Sequence, residues 1–197
     1  HQPLGPGGAE RLVLDLCGER PDASAVCCLD DAGVWGRTLQ ARGVTVEALE
    51  RKPGFQPGLA RRIVDAARRH RATVLHCHEY SPYVYGLLAA YLDRRLRVIA
   101  TIHGRLSDER AGVKRRVANQ CLQWLPAEVY AVSHELRRRL VDERFSPRQV
   151  RVIHNGIRVQ PEPLPDERQA ARAALGIDQT GPLVMAVGRL APVKDFA

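Results

Sequence analysis

Aromatic residues make up only 5% of this sequence. That scarcity bears on its basic character. The segment 59–70 carries a row of arginines with no aromatic side chain between them. Without rings for base stacking, the row reads as a solvated helix face, and no nucleic-acid partner is expected. Lysine is scarcer still: of 30 basic residues only Lys52, Lys114 and Lys194 are lysines, in a chain of net charge +8. Such a surface suits phosphorylated substrates or an anionic membrane face. The five cysteines are odd in number and show no CxxC spacing. This excludes a disulfide framework and a zinc knuckle, and points to a reducing compartment. Cys27 and Cys77 sit in apolar runs and read as small buried hydrophobes. No apolar run reaches the roughly 18 residues of a membrane span. The opening at His1 shows no initiator methionine and no leader pattern, so the chain reads as a fragment at both ends.

What is present is a regular alternation of short apolar, β-branched runs with amphipathic stretches. Strands are predicted over 25–29, 44–49, 73–76, 96–102, 128–132 and 150–153. Helices are predicted from Gly8, and over 35–42, 59–70, 82–92, about 108–124 and 134–144. Ser133 supplies the hydroxyl that caps the last of these. This rhythm predicts an α/β fold with a doubly wound parallel sheet. Residues 158–165, with three prolines, read as a linker. A helix over 166–175 and a strand over 183–187 then begin a second, truncated Rossmann-like unit. The division expected is 1–157, 158–165 and 166–197.

Chemistry-bearing residues gather where strands end. His76, His78 and Glu79 follow one strand, His103 another, Ser133 another, and Asn155 and Gly156 the last. In a parallel sheet these ends share one edge, where clefts form. His76 and His78 share a strand face but lack a third ligand, so no metal is expected. His154 reads as strand packing. Gly7 and Gly8 open a helix, a pattern in which bare N–H groups can approach a phosphate. Near the end, VMAVGRLAPVKDF (184–196) breaks at Gly188 and sets Arg189 and Lys194 together. An arginine fork and a lysine point charge suit a diphosphate.

Taken in order, GGAE, VLHCHEY, ATIHG, AVSHEL, VIHNGI and VGRLAPVKDF resemble glycosyltransferase family 4, a retaining group with the GT-B fold. The resemblance implies two Rossmann-like domains facing each other across a cleft, with the acceptor bound mainly by the first. The second would bind a nucleotide-diphosphate sugar as donor substrate, with no metal or other cofactor. It implies Gly8, Arg189 and Lys194 at the donor diphosphate and His103 as the catalytic-site histidine beside the sugar. Gly7, Glu79, Ser133, Asn155 and Gly156 would line the cleft. The acceptor would be a saccharide or lipid-linked glycan of cell-envelope polysaccharide biosynthesis. The protein would be cytoplasmic, with peripheral association to an anionic membrane through its arginine-rich helices. The chain departs from the pattern in three ways. The strand that should precede the glycine loop is missing, the E-x7-E motif is missing, and Asp195 stands where glycine is common. On its own the chain is expected to be inactive. Two alternatives remain: a non-catalytic binding module of the same fold, and a GT-B sugar-nucleotide epimerase.

Overall fold

A computed structural model describes residues 7–104, 112–157, 159, 161–177 and 181–185. The chain divides into two compact units, His1–Gly156 and Ile157–Ala197.

In the first unit, helix α1 (Gly8–Glu19) leads to β1 (Ala25–Cys28), α2 (Gly33–Ala41) and β2 (Thr45–Ala48). Then α3 (Gly58–Arg69), β3 (Val74–His78), α4 (Tyr80–Leu92), β4 (Arg97–Ile102), α5 (Val113–Leu122), β5 (Ala127–Ala131), α6 (His134–Asp142) and β6 (Val150–Val152) follow. All strand pairs are parallel, as the alternation predicts. They form two sheets, β1-β2 and β3-β4-β5-β6. Among the described residues no strand precedes α1, and β1 and β3 each pair on one side only. The order β3 to β6 follows the chain because each helical crossover returns the strand beside its predecessor.

Strand alternation sorts the side chains into two layers. Leu75, Cys77, Val98, Ala100, Ile102, Val129, Ala131 and Val150 share one face and join the main core. On that face α4 packs on β3 and β4, and α6 on β5 and β6. Tyr83 of α4 is fully buried there, against Tyr80 and Phe145. On the other face of the same sheet Val74, His76, Glu128 and Arg151 are exposed. A smaller core, Leu14, Cys28, Leu39 and Val44, joins α1 and α2 to β1 and β2.

Several expectations are corrected in detail. Helix α4 starts at Tyr80, two residues before Pro82. Proline is tolerated in a first turn, where N–H groups have no helical partner. Strand β3 runs on to His78 instead of stopping at His76. Cys77 is buried as expected, but Cys27 is exposed and Cys28 is the buried neighbour. Cys27 shares the face of Glu47, its register partner, whereas Cys28 turns toward Leu14. The arginines of α3 are more than a solvated row. Arg68 pairs with Asp93 at 3.1 Å, beside Arg95 at 2.8 Å, and Arg69 pairs with Glu47. The Arg95 guanidinium, with Arg68 alongside, holds the Asp93 carboxyl well below the usual range. Part of helix 108–124 lies outside the described residues; the described helix is α5.

In the second unit α7 (Pro165–Ala174) forms, with Glu167 bonding back to the Leu164 N–H at 2.9 Å. The strand predicted over 183–187 is absent from its described part, 183–185, which is exposed. A single parallel strand has no ladder without a partner.

Gly86 of α4 sits against β3, and a Cβ there would lie 2.5 Å from Cys77 Sγ. Alanine favours a helix interior by about 1 kcal/mol, but overpacking a tight core costs about 1–3 kcal/mol. Gly86→Ala is therefore expected to destabilise the chain in urea unfolding. Cys77→Ala in the same chain should recover part of the loss. Additive losses in the double variant would show that the two sites do not meet.

Candidate functional site

The site begins with strand register. His78 on β3 stands opposite Thr101 on β4. Glu79 extends the ladder by one step, donating its N–H to the Thr101 carbonyl at 3.0 Å. The backbone then turns sharply: Glu79 has φ +78° and ψ 172° at the start of α4. Non-glycine residues adopt positive φ at a cost of about 1–3 kcal/mol, and usually where function or tight packing demands it. The turn aims the Glu79 carboxylate sideways instead of onto its own helix. Oε1 accepts the His103 N–H at 3.2 Å, so the ends of β3 and β4 are lashed together. Burial raises the Glu79 pKa; the His103 N–H opposes that, and the charge of Glu10 adds to it.

His103 is held on a second side. Its Nε2 lies 2.9 Å from His78 Nδ1, and the two rings lie edge to edge and nearly in one plane, with 5.2 Å between centroids and 15° between planes. Behind them His76 lies 4.3 Å from the His78 ring and joins its Nε2 to Thr101 Oγ1 at 2.9 Å. The histidines thus bond in pairs and do not converge on a point. Among the described residues no group of three or more His, Cys, Asp or Glu is arranged to hold a metal ion. His103 Nδ1 is buried and has no hydrogen-bond partner among the described residues. Such a nitrogen is costly to leave unpaired.

The other predicted residues divide clearly. Ser133 Oγ accepts the Leu136 N–H at 3.0 Å, so its hydroxyl caps α6. Asn155 and Gly156 are exposed beyond the end of β6. Gly7 is the residue before α1, and both it and Gly8 are exposed; nothing lies within 4 Å of where a Gly8 Cβ would stand. Arg189 and Lys194 lie outside the described residues. His154 corrects an expectation: it is exposed, not packed into the strand. Its Nδ1 is 3.1 Å from the Val132 carbonyl, and its ring meets His134 edge-on at 5.8 Å. His78, read from the sequence as a strand-end residue beside Glu79 and not as a metal ligand, gains a specific partner here in His103. Its signal was the register of two parallel strands, which sets it beside the end of β4.

Burial pushes the His78 pKa down to about 3, with the neighbouring His76 and His103 adding to the effect. Burial lowers that of His103 as well. An unfolded histidine titrates near 6.5. Above that pH both states are neutral and the stability is fully present. As pH falls, the unfolded chain binds a proton that the folded site refuses, so stability is lost from about pH 6.5 toward 3. Between pH 7 and 5 the wild-type chain should lose on the order of 1–2 kcal/mol more than a His78→Phe variant. Urea unfolding at the two pH values checks this, and equal losses would contradict it.

Comparison with known proteins gives a consistent result. No curated protein matches. The family model described as Glycosyltransferase Family 4 matches residues 6–160. Among solved structures, HepE of Anabaena in complex with UDP and glucose is similar, with a TM-score of 0.69 and 22% identity over 89% of this chain and 49% of its own. A glycosyltransferase from Rickettsia africae has a TM-score of 0.71 and 14% identity over 90% of this chain and 48% of its own. The chain thus spans about half the length of these structures. At such identities they show a shared fold. Among the described residues no helix is long and apolar enough to cross a membrane. The family model covers well over half of the sequence, from the glycine pair through the last strand of the first unit, and the chain belongs to Glycosyltransferase Family 4.

Proposed function

We propose that this chain is the acceptor-side portion, with the start of the donor-side portion, of a retaining glycosyltransferase. The enzyme moves a sugar from a nucleotide-diphosphate sugar to a saccharide or lipid-linked acceptor, without a metal ion. The observation that carries this reading is the Glu79–His103 bond at the carboxyl edge of the parallel sheet, with His103 Nδ1 buried and unpaired. A buried polar edge of this kind suits a sugar hydroxyl, which can both donate and accept. The HepE structure with UDP-glucose supports the same class of donor. Gly8 offers backbone N–H groups at a helix start, and Arg189 and Lys194 supply the charge that a departing diphosphate needs. The pathway we assign is cell-envelope polysaccharide synthesis in the cytoplasm. The net charge of +8 favours contact with an anionic membrane face.

The test uses the full-length protein. Arg189→Ala or Lys194→Ala removes charge-assisted hydrogen bonds worth about 1.5–3 kcal/mol each, so donor affinity by calorimetry should fall about ten- to hundredfold. Transfer should fall with it. His103→Ala should abolish most transfer while the protein stays folded. Unchanged donor affinity in both cation variants, or full transfer by His103→Ala, would overturn the assignment of those residues.

A further inference from the structure

His78 is the side chain in the site that the proposed reaction does not itself use, yet it makes the closest contact with the one that does. It sits one position before Glu79, on the last residue of β3, and the ladder to Thr101 holds its backbone. Its ring has His103 on one side and His76 on the other. We propose that His78 is a positioning residue: by bonding Nε2 of His103 it fixes that ring in one orientation, with Nδ1 left for the donor sugar. This rests on the reading that His103 acts at the sugar.

The geometry makes the choice definite. A half-turn of the His103 ring about χ2 exchanges Nε2 with Cε1 and Nδ1 with Cδ2. Only one of the two orientations keeps the 2.9 Å contact to His78 Nδ1. The two rings lie nearly in one plane, 15° apart, as an in-plane bond between ring nitrogens requires. The His103 backbone is held independently by Glu79. Bond and backbone anchor therefore leave the ring a single orientation. Burial keeps both rings neutral, so the contact is one donor to one acceptor and not a pair of cations. The other ionisable groups near this pair are Glu79, which faces the His103 N–H, and Glu10 of α1, which acts on Glu79. His76 bonds Thr101 and backs the His78 ring from the far side.

Two substitutions separate the bond from the ring. His78→Asn places a side-chain amide close to where Nδ1 stands, keeping the hydrogen bond without the ring. His78→Phe keeps a ring without the bond. The full-length protein, with nitrogen-labelled histidine, reports the hydrogen bond at His103 Nε2 through its ring nitrogen shifts at neutral pH. A bonded Nε2 is expected in the wild type and in His78→Asn, and an unbonded one in His78→Phe. Transfer turnover should fall about ten- to hundredfold in His78→Phe with donor affinity little changed, and recover in His78→Asn. An unbonded His103 Nε2 in the wild type, or unaltered His103 shifts in His78→Phe, would overturn the proposal. So would equal impairment of the two variants. If His103→Ala transfers sugar normally, the reading of His103 fails instead. The ring shifts then still decide whether His78 holds its ring.

Discussion

Two neighbouring parallel strands end side by side, and the bond between the Glu79 carboxylate and the His103 N–H joins their ends. The contact is short in sequence terms for neither partner, since 24 residues separate them. It exists because β3 and β4 are in register, with His78 opposite Thr101. The ladder leaves Glu79 one step past the last pair, and the left-handed backbone there turns its side chain across to the next strand. Remove the carboxylate and the His103 backbone loses its anchor, while the strained turn keeps its cost.

The surrounding architecture serves this edge. Helices α4 and α6 bury one face of the four-stranded sheet, and the core they form fixes the strand ends from below. The histidines stand on the opposite face, where β3 and β5 also expose Val74 and Glu128. The site is therefore rigid on its core side and polar on its open side. That division lets a fold hold reacting groups still while admitting a ligand. The paired arginines of α3 do similar work at a distance: Asp93, gripped by Arg68 and Arg95, ties α3 to the turn before β4.

The alternation of apolar runs and amphipathic helices made the parallel α/β fold legible, and the strand-end rule located Glu79 and His103. Boundaries erred where one residue type carried the inference. Pro82 marked the start of α4 too late, because a first turn does not need that N–H. Cys27 looked buried because an apolar run does not say which residues face inward. The partner of His78 escaped notice because it is 25 residues away, and spacing within one strand carries no word of the next. The charged loop at Arg189 and Lys194 falls outside the described residues, so its part rests on chemistry alone.

The most direct measurement is a crystal structure of the full-length protein with a nucleotide-diphosphate sugar bound. His103 Nδ1 should lie within about 2.6–3.2 Å of a sugar oxygen, with the His78 and Glu79 contacts intact. A donor sugar seated away from the ends of β3 and β4, with His103 Nδ1 turned from it, would contradict the central claim.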